Sequence, residues 1–181
     1  MSQLRSPVGG GGGRLAERLR SDPSADLALL KTDFVPGTIA PFADDASLDI
    51  GERVVTYGFP LAGTLSSEGN LSVGYVAALS GIGDNTDQFQ MSAGVDFGSS
   101  GSPVLDAWGR VAGVAISRLV ARIAGSSVPQ GANFATKITA IRLFFAENGI
   151  LPEFRRKDKE LSPSQIGAAA RDFTVRVACW R

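Results

Sequence analysis

The chain has 181 residues, 44% of them hydrophobic, enough to bury one good core and a small appendage. Eighteen basic residues balance eighteen acidic ones, which leaves no electrostatic footprint for nucleic acid or an anionic membrane. Histidine is absent and Cys179 is the single cysteine, so an internal disulfide and a conventional zinc site are both excluded, and no cofactor is implied.

Residues 1–24 read as a flexible, glycine-rich segment. A phosphate cradle at Gly9 to Gly13 would need a preceding strand and a following Gly-Lys-Ser/Thr, and the sequence has neither. A linker is the simpler reading. Leu15 to Leu19 suit a short helical turn. The first residues lack the apolar core of a secretory signal, and no apolar run approaches the roughly 20 residues needed to span a bilayer. The compartment stays open.

Residues 25–150 form the expected main domain. Runs rich in β-branched and aromatic residues, bounded by Gly, Pro, Asn and Asp, predict strands at 25–31, 52–58, 71–79, 87–92, 103–105, 111–117 and 132–136. Turn signals every dozen or so residues point to an antiparallel barrel or sandwich rather than βαβ units. Asp106-Ala107-Trp108-Gly109 reads as a hairpin turn. Thr139 is the expected N-cap of a helix through Asn148, with Ile141, Phe144 and Phe145 on one face and Gly149 as its stop.

Residues 151–181 read as a charged linker followed by a helix and a strand. The run at 155–160 needs an acidic partner if it is a functional patch and nothing if it is a solvated linker, and the linker is the expectation. Ser162-Pro163-Ser164-Gln165 is a capping box for a helix to about Asp172, and 173–180 alternates like a strand. This tail is expected to pair with an exposed sheet edge.

The chemistry concentrates at Gly98-Ser99-Ser100-Gly101-Ser102-Pro103. A serine flanked by glycines on a tight turn presents its hydroxyl while the backbone N–H groups face a reacting carbonyl oxygen. Upstream, Asp26 opens the apolar run Leu27-Ala28-Leu29-Leu30-Lys31. These two stretches, with Ile50-Gly51-Glu52-Arg53-Val54-Val55-Thr56-Tyr57-Gly58-Phe59-Pro60-Leu61 between them in that order, resemble the trypsin-like serine peptidases. The similarity is greater to their disulfide-free bacterial HtrA-like branch, over about Asp22 to Ile150.

The resemblance implies a mostly β fold of two antiparallel barrels, with the second barrel largely complete here, the first mostly absent, and C-terminal helices. It implies that Ser100 is the nucleophile and Asp26 the triad carboxylate, with the N–H groups of Gly98 and Ser100 as oxyanion hole. The family's histidine has no counterpart. A lysine base in its place, Lys31 or Lys137, has no support in the spacing. Gly94 stands six residues before Ser100, where basic-specific relatives carry Asp; with Phe97, Val114 and Ile116 it implies a small or apolar substrate pocket. The implied partner is an extended peptide or protein paired along 111–117 by β-augmentation.

Three readings stay open: a serine endopeptidase whose histidine lies in an upstream segment, a pseudo-peptidase that binds peptides, and a broken reading frame. The missing first barrel leads to the expectation of apolar surface at Leu27, Leu29 and 39–43, covered by self-association or by the tail strand. Full-length relatives are often periplasmic or secreted.

Overall fold

The structure, a computed structural model, describes residues 2–5, 14–33, 35–45, 48–60, 68–116 and 132–179. Its centre is a closed antiparallel barrel of six strands: β5 (Arg53–Gly58), β6 (Asn70–Ala78), β7 (Gln88–Met91), β8 (Pro103–Leu105), β9 (Val111–Ile116) and β10 (Asn133–Lys137). The order β10-β7-β6-β5-β8-β9 closes because β9 also pairs with β10, Phe134 opposite Ile116 and Lys137 opposite Gly113. Val54, Val76, Phe89, Met91, Val104, Ala115 and Ala135 fill the interior, each with 2% exposure or less. All six strands coincide with runs predicted from the sequence, to within a residue or two at the ends.

The β8–β9 connection is the expected turn. Asp106 Oδ1 accepts from the N–H groups of Trp108 and Arg110, and Gly109 takes φ 74°. Arg110, 1% exposed, then reaches out of the turn. Its Nε donates to Asp106 Oδ2 at 2.8 Å, one terminal nitrogen to Asp44 at 3.0 Å and to the Arg155 carbonyl at 3.0 Å, and the other pairs with Asp45 at 2.9 Å. These contacts seat two short strands that the sequence did not show: β4 (Phe42–Ala43), parallel to β9, and β11 (Phe154–Arg155), parallel to β4.

Helix α1 (Ile138–Glu147) is capped two residues before the expected Thr139: Lys137 is its N-cap and has no side-chain capping bond. Thr139 lies inside the first turn because β10 runs directly into the helix. Ile138 and Ile141 pack on Ala43, and Phe145 meets Phe42 edge-on at 5.1 Å. Helix α2 (Pro163–Phe173) has the predicted capping box, Ser162 and Gln165 each bonding the other's backbone. It lays fully buried Ile166 and Ala170 on Val55, Leu105 and Val111 outside the barrel.

A second sheet, ordered β12-β1-β2-β3, consists of β1 (Ser2–Arg5), β2 (Arg14–Asp22), β3 (Leu27–Thr32) and β12 (Arg176–Cys179). Residues 14–22 are thus extended, not the helical turn expected at Leu15 to Leu19, because β2 pairs with β3 along its length. The flexible reading of 1–24 gives way to strands at 2–5 and 14–22; Gly9 to Gly13 lie outside the described residues. The tail strand does pair with an edge: Ser2 to Arg5 face Cys179 to Arg176. Leu27 and Leu29 are half-buried, Leu27 on the Ile138–Ile141 cluster, whereas Ile39 is exposed.

The charge run at 155–160 is no free linker. Lys157 pairs with Asp45 at 3.5 Å and lies 4.5 Å from the Trp108 ring, Arg156 faces Asp44 at 3.6 Å, and Glu160 approaches Arg53 at 3.9 Å. The acidic partners sit elsewhere in the chain, which local sequence could not reveal.

Replacing Arg110 leaves Asp106, 2% exposed, as an uncompensated buried charge. Arg110→Ala is therefore expected to cost about 3–5 kcal/mol in urea unfolding. A cost within the scatter of surface substitutions would refute the ion cluster as a determinant of stability.

Candidate active site

Two neighbouring rungs of the β9–β10 ladder position the two candidate side chains. The Gly101 N–H donates to the Ala115 carbonyl at 2.8 Å, and the Ala115 N–H donates to the Ser102 carbonyl at 2.9 Å, so the 98–102 turn hangs on β9 at Ala115. Ala115 faces Ala135 on β10. The next residue, Thr136, 1% exposed, donates its hydroxyl to the Ala25 carbonyl at 2.7 Å. Asp26 follows at once. The structure therefore brings the Ser100 turn and the Asp26 turn to the same end of one strand pair, although no hydrogen bond joins the two residues.

The serine turn is tight. The Ser99 N–H donates to the Asp96 carbonyl at 2.9 Å and the Ser102 N–H to the Ser99 carbonyl at 3.1 Å. Gly98 at φ 93° and Gly101 at φ 83° occupy the left-handed region that side chains resist, which explains glycine on either side of the Ser99–Ser100 pair. Ser100 is exposed. Among the described residues, the N–H groups of Gly98 and Ser100 have no carbonyl partner, and the Ser100 hydroxyl has no hydrogen bond.

Asp26 is exposed and itself takes φ 53°, at the end of a turn built by Asp22. Asp22 Oδ1 accepts from the Ser24 N–H at 2.8 Å, the Ser24 hydroxyl at 2.6 Å and the Ala25 N–H at 3.3 Å. The Ser24 hydroxyl above all, then the two N–H groups, hold the Asp22 carboxyl below its ordinary value of 3.8. Sequence reasoning passed over Asp22 and Thr136. The Asp-x-Ser spacing of an Asx turn was a usable signal for Asp22; nothing local marks Thr136.

The four expected pocket residues separate. Gly94 lines a cavity of about 130 Å³ whose wall also includes Thr56, Asn70, Asp96, Ser99 and Ser102. Phe97 is 61% exposed, Ile116 is buried in the barrel wall, and half-buried Val114 packs on the Ile138–Ile141 cluster. None of these three lines that cavity, and its wall is rich in oxygen.

Val111–Ile116 also departs from the expected peptide-binding edge. It is paired with β8 on one side and with β4 and β10 on the other, so its backbone is engaged within the sheet, and residue 117 of the expected run lies outside the described residues. Nor is Lys137 a base for Ser100, since its ammonium donates to the Leu79 carbonyl at 2.7 Å.

Residues 2–114 match the trypsin-like peptidase domain family. The match begins well before Asp22, in keeping with strands at 2–5 and 14–22. The uncharacterized protein y4bJ of Sinorhizobium fredii is 37% identical over 161 residues, covering 87% of this chain and 25% of its own length. A probable periplasmic serine endoprotease, DegP-like, of Bartonella henselae is 35% identical over 103 residues, 55% of this chain and 20% of its own. Protease Do-like 5, chloroplastic, of Arabidopsis thaliana is 30% identical over 126 residues, 66% of this chain and 38% of its own. The chain thus spans well under half the length of these relatives.

Two outcomes follow for the Asp26 turn. The Asp22 bonds require the carboxylate, so they are present above its ordinary pKa and lost as pH falls through the lowered value. Protection of the Ser24 and Ala25 amides, relative to intrinsic exchange at each pH, should fall over that acid range in the wild type and be low at all pH values in Asp22→Ala. Thr136→Val leaves a buried carbonyl unpaired and should cost about 1–3 kcal/mol in denaturant unfolding; an unchanged midpoint would remove Thr136 as the anchor.

Proposed function

Because this chain belongs to the trypsin-like peptidase family, we propose that it carries the nucleophile-bearing part of a serine endopeptidase acting on extended protein segments. Ser100 attacks the scissile carbonyl, the N–H groups of Gly98 and Ser100 hold the developing oxyanion, and Asp26 orients the cation of the base. The observation that supports this reading is the pair of N–H groups, unpartnered among the described residues, beside an exposed serine hydroxyl. Donors preorganised in this way stabilise charge that appears only in the transition state.

The base is the missing part. The 181 residues contain no histidine. Asp26 cannot substitute, since its part in such a triad is to hold the imidazole and stabilise its cation. Loss of the base lowers turnover by about a millionfold. We therefore propose that these residues alone do not cleave peptides. A peptide-binding role without turnover is the second reading, favoured by the same absence of histidine.

A fluorophosphonate probe offered to the 181-residue chain at neutral pH is expected to leave Ser100 unmodified. Joining a histidine-bearing first-barrel segment of a DegP-like relative ahead of β1 should restore labelling, and Ser100→Ala should abolish it. Stoichiometric labelling of the chain alone would overturn the missing-base argument. Peptide binding by the joined protein without labelling would replace the protease reading with the binding-module one.

A further inference from the structure

We propose that the cavity at the mouth of the barrel, where β10 passes into α1, binds a short-chain alkyl carboxylate. The site is separate from the serine turn and does not depend on the hydrolytic reading. Its wall joins the end of β6 at Leu79, the approach to β7 at Thr86, the start of β9 at Ala112 and the β10–α1 junction at Lys137 to Thr139. The serine turn hangs on Ala115, further along β9.

Size and hydrocarbon come first. The cavity measures about 310 Å³, where one water needs roughly 10–15 Å³. That volume enters the range of roughly 300–1,000 Å³ in which small-molecule sites fall, and barrel mouths are a common place for them. Phe89, Ala112 and Ile138, each 3% exposed or less, are the most buried part of the wall. Half-buried Leu48 packs on the barrel core, and Leu79, 41% exposed, stands at the rim. An alkyl chain in this space takes its own carbon and that of the wall out of water.

One cation selects the head group. Lys137 is the single basic residue of the wall among the described residues. Its ammonium donates to the Leu79 carbonyl at 2.7 Å, and Leu79 lines the same cavity, so the charge is held at the rim. That bond uses one of three donors, and among the described residues no carboxylate is paired with it. Two donors remain for a carboxylate, in charge-assisted bonds roughly twice as strong as neutral ones. Asp49, the acidic residue of the wall, is exposed, so water and salt screen its charge. The start of α1 agrees in sign: Ile138 and Thr139, its first two residues, line the cavity, and Lys137 gives them no side-chain cap. A carboxylate on an alkyl chain therefore matches both halves of the wall. A bare anion leaves the hydrocarbon wet, and an alkylammonium is repelled by Lys137.

The test is an amide NMR titration of the 181-residue chain at low salt with butyrate, hexanoate, hexanol and hexylammonium. Hexanoate is expected to shift the amides of residues 48–49, 79, 112 and 137–139 saturably. It should bind about tenfold more tightly than butyrate, as two further buried methylenes imply. Hexanol should bind about tenfold or more weakly than hexanoate, and hexylammonium should leave these amides in place. Lys137→Gln keeps a donor for the Leu79 carbonyl while removing the charge, and should weaken hexanoate binding about tenfold with the rest of the spectrum unchanged. Equal affinity for hexanol, saturable binding of hexylammonium at the same amides, no saturation with hexanoate, or unchanged hexanoate affinity in Lys137→Gln would each overturn the proposal. The titration does not involve Ser100, so its failure is distinct from a failure of Ser100 labelling.

Discussion

One buried guanidinium joins the parts of this chain that a barrel alone would leave separate. Taking a charge out of water is unfavourable unless its hydrogen bonds are met in full. Arg110 meets that condition through Asp106, Asp44, Asp45 and the Arg155 carbonyl, contacts that occupy its whole fork of donors. Three carboxylates around one guanidinium leave an excess of negative charge, and Lys157 and Arg156 stand beside Asp45 and Asp44 to offset it. The arrangement ties the β8–β9 turn, β4 and β11 together, segments far apart in sequence.

That junction bears on the candidate site through β9. The turn rooted by Arg110 sends β9 across the barrel, where Gly113 to Ile116 pair with β10. At its far end, Ala115 receives the serine turn and Thr136 on β10 receives the Asp26 turn. The Ser100 hydroxyl and the Asp26 carboxylate therefore depend on regular strands rather than on each other. Each half has its own hold on the packed barrel, the serine turn through backbone bonds to Ala115 and the Asp26 turn through the Thr136 hydroxyl.

The second sheet shows how the chain satisfies its own edges. β1 has β2 on one side and the tail strand β12 on the other, so neither of its backbone edges is left open. Helix α2 leads into that tail and buries Ile166 and Ala170 on the barrel. The barrel, its outer helix and the second sheet are thereby linked through residues 162–179.

Much of this was legible locally. Runs of β-branched and aromatic residues bounded by Gly, Pro, Asn and Asp located all six barrel strands, the Ser162–Gln165 box located α2, and glycines at 98 and 101 identified the serine turn. These signals are short in range: a strand's pleat, a cap's reciprocal bonds and a left-handed φ are each set within a few residues. The sequence alone also established that no histidine is present. Tertiary structure decided the rest. It made a strand of 14–22, where the sequence suggested a helical turn at Leu15 to Leu19, since β3 offered a ladder stronger than local propensity. It gave the exposed charge run at 155–160 partners at Asp44, Asp45 and the Trp108 ring. It also paired Val111–Ile116 with neighbouring strands on both sides and separated Gly94, which lines a cavity of about 130 Å³, from Phe97, Val114 and Ile116, which do not. Each of these outcomes depends on a partner dozens of residues away, and a partner's position is a property of the folded chain, not of any segment read by itself.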